Sequence, residues 1–96
     1  MSDDDITSLT VRVEGFVQGV GFRDFLVMAA QMRKLDGWVR NCSDGSVEAL
    51  VSGPTKAVEA FVGAATQGPR GARVTAVDLI NSQPPAEKGF HRKETV

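Results

Sequence analysis

The sequence predicts an α+β domain in which a four-stranded antiparallel sheet carries two helices on one face. Two observations predict it. Four segments alternate apolar and polar residues or have strand-like composition, and two segments instead repeat apolar residues at steps of three and four. These segments follow each other in the order strand, helix, strand, strand, helix, strand. The 96 residues fit one domain and leave no room for two.

The first strand and the first helix are marked by a change in hydrophobic period. Apolar Leu9, Val11 and Val13 alternate with polar residues up to Glu14, as in a half-buried strand. After a glycine-rich segment the period becomes helical, and Gly37 is the expected end of this helix. The apolar face predicted for the helix consists of Phe22, Phe25, Met28, Ala29, Met32 and Leu35.

The second half of the chain predicts a hairpin, a helix and a further strand. Two strand-like runs, residues 38–42 and 47–51, flank an Asp-Gly pair, which is a strong hairpin signal. Pro54 is expected at the first position of the second helix. The fourth strand is predicted over residues 74–80. The apolar face predicted for the second helix consists of Val58, Phe61, Val62 and Ala65.

This order of elements is that of the ferredoxin-like βαββαβ sandwich. Residues 8–92 are expected to form the domain, with a flexible N-terminal tail over residues 1–7 and a C-terminal tail over residues 93–96. The segment after Asn81 is mostly polar, and a short fifth edge strand fits near Phe90. The fold alone assigns no function, because this architecture supports enzymes, RNA-binding modules and regulatory domains.

Composition restricts the classes of function. There are 11 basic and 12 acidic residues, so no overall field attracts nucleic acid or an anionic membrane, and any anion site must be local. Cys42 is the single cysteine, and the acidic N-terminus does not resemble a signal peptide. No apolar run is long enough to span a bilayer. We therefore expect a cytoplasmic monomer without a nucleic-acid or membrane partner.

Residues 15–23, Gly-Phe-Val-Gln-Gly-Val-Gly-Phe-Arg, lie between the first strand and the first helix. The glycines permit backbone amides to converge on an anion, and the helix adds its positive N-terminal end. Arg23 falls in the first helical turn, where a cation is unfavourable unless an anion is bound. A tight turn with a solvent-exposed arginine explains the same pattern, and both interpretations stay open. Nucleotide-binding motifs are excluded, since no Gly-Lys-Ser or Gly-Lys-Thr follows and Asp24 replaces a required glycine.

Asn41 is a polar residue in the predicted second strand, beside the hairpin turn. With a period of two it shares a face with apolar Val39, so we expect its side chain to face inward or towards a helix end. A buried amide must be hydrogen-bonded. Either Asn41 caps the turn, or its amide holds a water molecule by accepting through oxygen and donating through nitrogen.

Residues 15–23 resemble the signature loop of the acylphosphatase family, and residues 37–48, Gly-Trp-Val-Arg-Asn-Cys-Ser-Asp-Gly-Ser-Val-Glu, resemble its second signature. The resemblance implies the ferredoxin-like fold and the hydrolysis of small acyl phosphates to a carboxylate and inorganic phosphate. By the same resemblance, Arg23 binds the phosphoryl group and Asn41 positions the attacking water. The backbone amides implied to bind the phosphate oxygens, beside Arg23, are those of Phe16, Val17, Gln18, Gly19 and Val20.

No metal ion or other cofactor is expected, because no combination of His, Cys, Asp and Glu has the spacing of a metal site. Inorganic phosphate or another oxyanion is the expected ligand besides the substrate. His91 is expected to be solvated and Cys42 to be packed or inert, because neither has a catalytic partner in the sequence.

The sequence departs from the family pattern at two places. Leu26 stands where the family often has threonine, so a polar contribution from the helix is expected to be missing. The family usually closes with an aromatic-x-Ile-Arg strand, whereas residues 90–93 are Phe-His-Arg-Lys. Neither departure changes Arg23 or Asn41.

The main alternative function is a non-catalytic module that holds a phosphorylated or carbamoylated ligand without turnover. Similar domains also occur within larger maturation enzymes, but the length of this chain favours an independent protein. Binding of single-stranded RNA is disfavoured, because tyrosine is absent, the predicted strands contribute little aromatic surface beyond Trp38 and the net charge is slightly negative.

Overall fold

The computed structural model of the chain describes residues 5–96. Its strands form one sheet in the order β4-β1-β3-β2-β5, and α1 and α2 pack on the same face of that sheet. The predicted ferredoxin-like α+β fold is confirmed. The elements, in chain order, are β1 (Ile6–Phe16), α1 (Phe22–Met32), β2 (Asp36–Asn41), β3 (Val47–Pro54), α2 (Thr55–Gln67), β4 (Arg73–Asn81) and β5 (Phe90–Arg92).

The sheet of the described residues contains four antiparallel strands and one parallel strand. β3 and β4 flank β1, and β2 pairs with β3, all in antiparallel orientation. β5 forms where the sequence permitted a fifth edge strand, and it runs parallel to β2 with Phe90 opposite Gly37 and Arg92 opposite Val39. The sheet is therefore mixed, and β5 lies beside the strand that ends at Asn41.

β1 begins earlier than the sequence predicted. Ile6 and Thr7, which were assigned to a flexible tail, pair with the last residues of β3. The prediction was wrong there because polar Thr7 interrupts the alternation of the strand. Its hydroxyl nevertheless has a partner within the fold, since it lies 2.7 Å from the hydroxyl oxygen of Thr55. Residues 1–4 of the predicted tail lie outside the described residues.

The hydrophobic core lies between the sheet and the two helices. α2 buries Val58, Phe61 and Ala65 as predicted, whereas Val62 is half-buried. Each large apolar side chain that is fully buried contributes about 1.5–3 kcal/mol to the free energy of unfolding. The strands bury alternate residues on the helix-covered face, namely Val11, Val13, Val39, Val47, Ala49 and Val51.

The buried face of α1 differs from the prediction. Met28 and Met32 were expected to face the core, but they are 64% and 73% exposed. With 3.6 residues per turn they lie on one flank of the stripe centred on Phe22, while Leu26 and Ala30 lie on the other flank. Only the second flank meets the sheet and α2. The buried residues of α1 are Phe22, Leu26, Ala29 and Ala30.

Two predicted helix boundaries also differ. α1 ends at Met32 rather than at Gly37, and Gly37 lies inside β2. A glycine is required there because its φ is +139° and a Cβ would stand 1.8 Å from the carbonyl oxygen of Leu50. Pro54 is the residue before α2, which begins at Thr55.

Candidate active site

The glycine-rich loop, residues 15–21, connects β1 to the N-terminus of α1. Gly19 and Gly21 have φ angles of +78° and +77°, and Gly21 is the N-cap of α1. A Cβ at either position would meet nothing within 4 Å, so backbone conformation rather than space requires these glycines. No side chain caps α1, so its first amides stay available to a group bound beside the loop.

Arg23 and Asn41, the two side chains singled out in the sequence, line one cavity of about 200 Å³. Arg23 comes from the first turn of α1 and Asn41 from the last position of β2. The cavity is smaller than the roughly 300–1,000 Å³ typical of drug-sized ligands, which suits a small anion. Its lining consists of Val17, Gly19, Gly21, Phe22, Arg23, Asp24, Asn41 and Arg92.

The five loop residues expected to bind phosphate through their amides do not all line the cavity. Val17 and Gly19 line the cavity. Phe16, Gln18 and Val20 do not line it, and Phe16 is 62% exposed. Phosphate binding by the backbone amides of all five residues stays a prediction.

The half-buried side chain of Arg23 is held by the segment that follows β5. Its Nη1 donates a hydrogen bond to the backbone carbonyl oxygen of Lys93 at 3.2 Å. This is the one hydrogen bond of the guanidinium within the described residues. A guanidinium has five N–H donors in a planar fork, so the other donors stay available to an oxyanion.

The side chain of Asn41 has no hydrogen-bond partner among residues 5–96, and its polar atoms are not fully buried. The hairpin turn is instead held by Asp44, whose Oδ1 accepts from the N–H and the hydroxyl of Ser46 at 2.9 and 2.7 Å. Turn capping by Asn41, one of the two interpretations left open by the sequence, is therefore wrong. Its amide faces the cavity.

Gln18 fastens the glycine-rich loop to the hairpin. Its Nε2 donates to the backbone carbonyl oxygens of Cys42 and Ser46, both at 2.8 Å. Because both partners are acceptors, the amide nitrogen must face them. Cys42 directly follows Asn41, so these bonds fix the distance between the loop and the strand end that carries Asn41. From the sequence only a backbone contact was predicted for Gln18, and the contacts of its side chain were missed.

Residues 93–96 extend the pairing of β5 along the edge of β2. The N–H of Lys93 donates to the carbonyl oxygen of Val39 at 2.8 Å, and the N–H of Val96 donates to that of Asn41 at 3.1 Å. The predicted C-terminal tail is therefore hydrogen-bonded to the sheet, because the exposed edge of β2 offers backbone acceptors. The segment thereby reaches both Arg23 and Asn41.

Arg92 is a cation of the cavity that sequence analysis did not assign. It stands where the family pattern has isoleucine, two residues after buried Phe90. Its Nη1 lies 2.6 Å from Oδ1 of Asp24, which also lines the cavity. The sequence signal was the departure at residues 90–93, but the long-range contact with α1 could not be read from it.

The other sequence candidates lie outside the cavity. Leu26 is fully buried in the core and presents no polar group to the site. His91 is exposed, with Nε2 at 2.9 Å from the carbonyl oxygen of Lys88. Cys42 is a half-buried free cysteine.

The carboxyl group of Asp44 has a strongly shifted pKa, and its contacts lie in the hairpin turn rather than in the cavity. The hydroxyl and N–H of Ser46 and the guanidinium of Arg12 hold the pKa of Asp44 well below its usual 3.8. The carboxylates of Asp44 and, to a smaller extent, Glu14 raise the pKa of Arg12. Ionised Asp44 thus stabilises the hairpin that carries Asn41.

In residues 5–96 no group of three or more His, Cys, Asp and Glu side chains is arranged to hold a metal ion. Across the same residues, no helix combines the length and apolar character needed to cross a membrane. The polar side chains that line the cavity are Arg23, Asn41, Arg92 and Asp24, and the carboxylate of Asp24 is paired with Arg92. The guanidinium and amide donors that remain are suited to an oxyanion.

Comparison with known proteins identifies the family. Residues 9–92 match the family model described as Acylphosphatase. The acylphosphatase of Acidiphilium cryptum (strain JF-5) is 48% identical over 83 residues, which are 86% of this chain and 91% of that protein. The acylphosphatase structure from Bacillus subtilis has a TM-score of 0.85 at 39% identity and covers 93% of this chain and 99% of that one. An acylphosphatase structure from Coxiella burnetii has a TM-score of 0.87 at 30% identity, with coverages of 93% and 94%. The chain therefore belongs to the acylphosphatase family of hydrolases, which cleave acyl phosphates.

Proposed function

We propose that the protein hydrolyses small acyl phosphates in the 200 Å³ cavity, where Arg23 binds the phosphoryl group and Asn41 positions the attacking water. The observation that carries this assignment is the convergence of both side chains on one cavity at the N-terminus of α1. A bound phosphoryl group would also explain why a cation stands in the first turn of a helix.

The phosphoryl group is held by donors of two kinds. The backbone amides of residues 16–20 and of the start of α1 point fixed partial positive charge at its oxygens. The guanidinium of Arg23 adds a full charge and can bind two oxygens at once. Because these groups are preorganised, they stabilise charge on the transferring phosphoryl group without reorganising during the reaction.

The reaction needs little proton transfer. The oxygen of a water molecule attacks phosphorus while the bond from phosphorus to the acyl oxygen breaks, and the electron pair of that bond leaves with the carboxylate. A carboxylate departs without protonation, so no general acid is required. Asn41 orients the water through its amide, and a phosphate oxygen of the substrate takes the proton that the water loses.

We further propose that the enzyme acts as a cytoplasmic monomer that needs no metal and binds no nucleic acid. One cysteine permits no internal disulfide, which favours a reducing compartment. The ring of Trp38 is covered by the cations of Arg40 and Lys93, at 4.6 and 4.9 Å from its centroid, so it is not open for base stacking. Light scattering during gel filtration tests the monomer, and fractionation of cells tests the compartment.

The proposal is tested by hydrolysis of benzoyl phosphate in excess chelator. The wild type is expected to turn over, while Arg23→Ala and Asn41→Ala each lose on the order of a hundredfold or more in kcat. Lys56→Ala is the matched control, because Lys56 is exposed at the start of α2, at the opposite end of the sheet. A folded wild type that binds phosphate but does not turn over would contradict the proposal and favour the non-catalytic module.

A further inference from the structure

The 200 Å³ cavity that contains Arg23 and Asn41 adjoins a second cavity, and Arg92 lines both. The second cavity has a volume of about 390 Å³ and is lined by Arg23, Arg92, Lys93, Glu94 and Thr95. Arg23 and Arg92 also line the 200 Å³ cavity, whereas Asn41 does not line the second one. The two arginines therefore stand at the boundary between the spaces.

The second cavity offers a place for the acyl group of a substrate. In an in-line displacement the leaving group departs on the side opposite the attacking water. With the water at Asn41, the acyl group points away from Asn41 and past Arg23. The second cavity is lined by Arg23 and not by Asn41, so it offers room for such an acyl group. This step rests on the proposed function.

Arg92 is the side chain there that can recognise charge. Its Nη1 is paired with Asp24, which orients the guanidinium, and no other hydrogen bond of this side chain occurs within residues 5–96. The Arg92 side chain is 49% exposed and keeps donors for a ligand. Lys93 does not compete, because its ammonium lies over the Trp38 ring.

We propose that Arg92 is a specificity-determining residue that binds a second anionic group on the acyl part of the substrate. The preferred substrates are then acyl phosphates whose acyl group carries a carboxylate or a further phosphate. The carboxylate of Glu94 also lines the cavity and repels such a group, so the attraction depends on Arg92 rather than on a general positive field.

The test compares 4-carboxybenzoyl phosphate with benzoyl phosphate, which differ by one remote carboxylate. The measured quantity is the ratio of the two kcat/KM values for the wild type, Arg92→Gln and Arg92→Lys. Glutamine is expected to lower the ratio on the order of tenfold, because a partly exposed charge contact is lost. Lysine keeps the charge and is expected to retain part of the preference. An acyl phosphate with a second phosphate group, run in parallel, shows which anion is favoured.

Lys56→Gln is the control, and it is expected to leave the ratio unchanged. Added salt is expected to reduce the preference of the wild type, as it does for any exposed charge contact. Thermal unfolding of each variant confirms that it is folded. A wild type that hydrolyses both substrates, with the same ratio in Arg92→Gln, would overturn the role of Arg92 alone. A wild type that hydrolyses neither would overturn the proposed function as well.

Discussion

Replacing Gln18 with leucine removes both hydrogen bonds that tie the glycine-rich loop to the hairpin. These bonds reach the carbonyl oxygens of Cys42 and Ser46 at 2.8 Å. Both carbonyls keep a second partner, since the N–H of Gly45 donates to Cys42 at 3.0 Å and the N–H of Cys42 donates to Ser46 at 2.9 Å. The variant therefore leaves neither carbonyl unpaired. At about 1 kcal/mol net per bond, the free energy of unfolding should fall by about 2 kcal/mol.

This loss is large enough to measure in two ways. For a domain of this size, about 2 kcal/mol lowers Tm by roughly 10 °C. If the same free energy is lost from the transition state because the loop shifts relative to Asn41, kcat/KM falls about 30-fold. Thermal unfolding followed by circular dichroism and hydrolysis of benzoyl phosphate measure the two effects.

Gln18→Glu and Gln83→Leu complete the experiment. Glutamate keeps the shape of glutamine but has no donor when ionised, so we expect it to lose at least as much as leucine does. Gln83 is exposed beyond β4, at the end of the sheet away from the cavity, and its replacement should change stability by less than about 0.5 kcal/mol. If Gln18→Leu keeps the Tm and the kcat/KM of the wild type, the two Gln18 hydrogen bonds neither stabilise the fold nor position Asn41.

The remaining predictions concern stability. The donors of Ser46 hold the pKa of Asp44 below 3.8, so its stabilisation is complete above about pH 4 and is lost as the pH falls further. Below about pH 4, the free energy of unfolding of Asp44→Asn, measured with urea, should then fall less steeply with pH than that of the wild type. An equally steep fall in both proteins would contradict this. Leu26→Ala should lower the free energy of unfolding by about 2–5 kcal/mol, because Leu26 is fully buried, whereas Met32→Ala should lower it by less than about 0.5 kcal/mol. If urea unfolding gave similar losses for both variants, the buried face of α1 would be the one predicted from the sequence. Gly37→Ala places a Cβ 1.8 Å from a carbonyl oxygen, so we expect it to unfold or to lose more than about 3 kcal/mol, and a Tm like that of the wild type would refute the clash.

The order of elements could be predicted because period and turn chemistry are local properties. The alternation from Leu9, the Asp-Gly turn and the apolar stripe of α2 each depend on neighbours in sequence. The stripe of α1 could not be resolved in the same way. Its sequence is apolar on both flanks, and the packing of α1 against the sheet and α2 decides that Ala30 is buried and Met32 is not.

The candidate site shows the same limit. Arg23 and Asn41 were singled out because each lies in a motif with a physical reason for its residue type, and the fold brings them to one cavity. Gln18 and Arg92 act through partners far away in sequence, on the hairpin and on α1. Such contacts depend on the pairing of β5 with β2 and on the packing of the loop against the hairpin turn, which no local pattern specifies.

The division of tasks between Arg23 and Asn41 is tested most directly by calorimetric titration with inorganic phosphate, done on the wild type, Arg23→Ala and Asn41→Ala. The phosphate affinity of Asn41→Ala should lie within about threefold of that of the wild type, because the Asn41 side chain positions water rather than phosphate. Its turnover should nevertheless fall on the order of a hundredfold. Arg23→Ala should lose phosphate affinity and turnover together. Phosphate binding at wild-type strength by Arg23→Ala, or its loss in Asn41→Ala, would contradict the account.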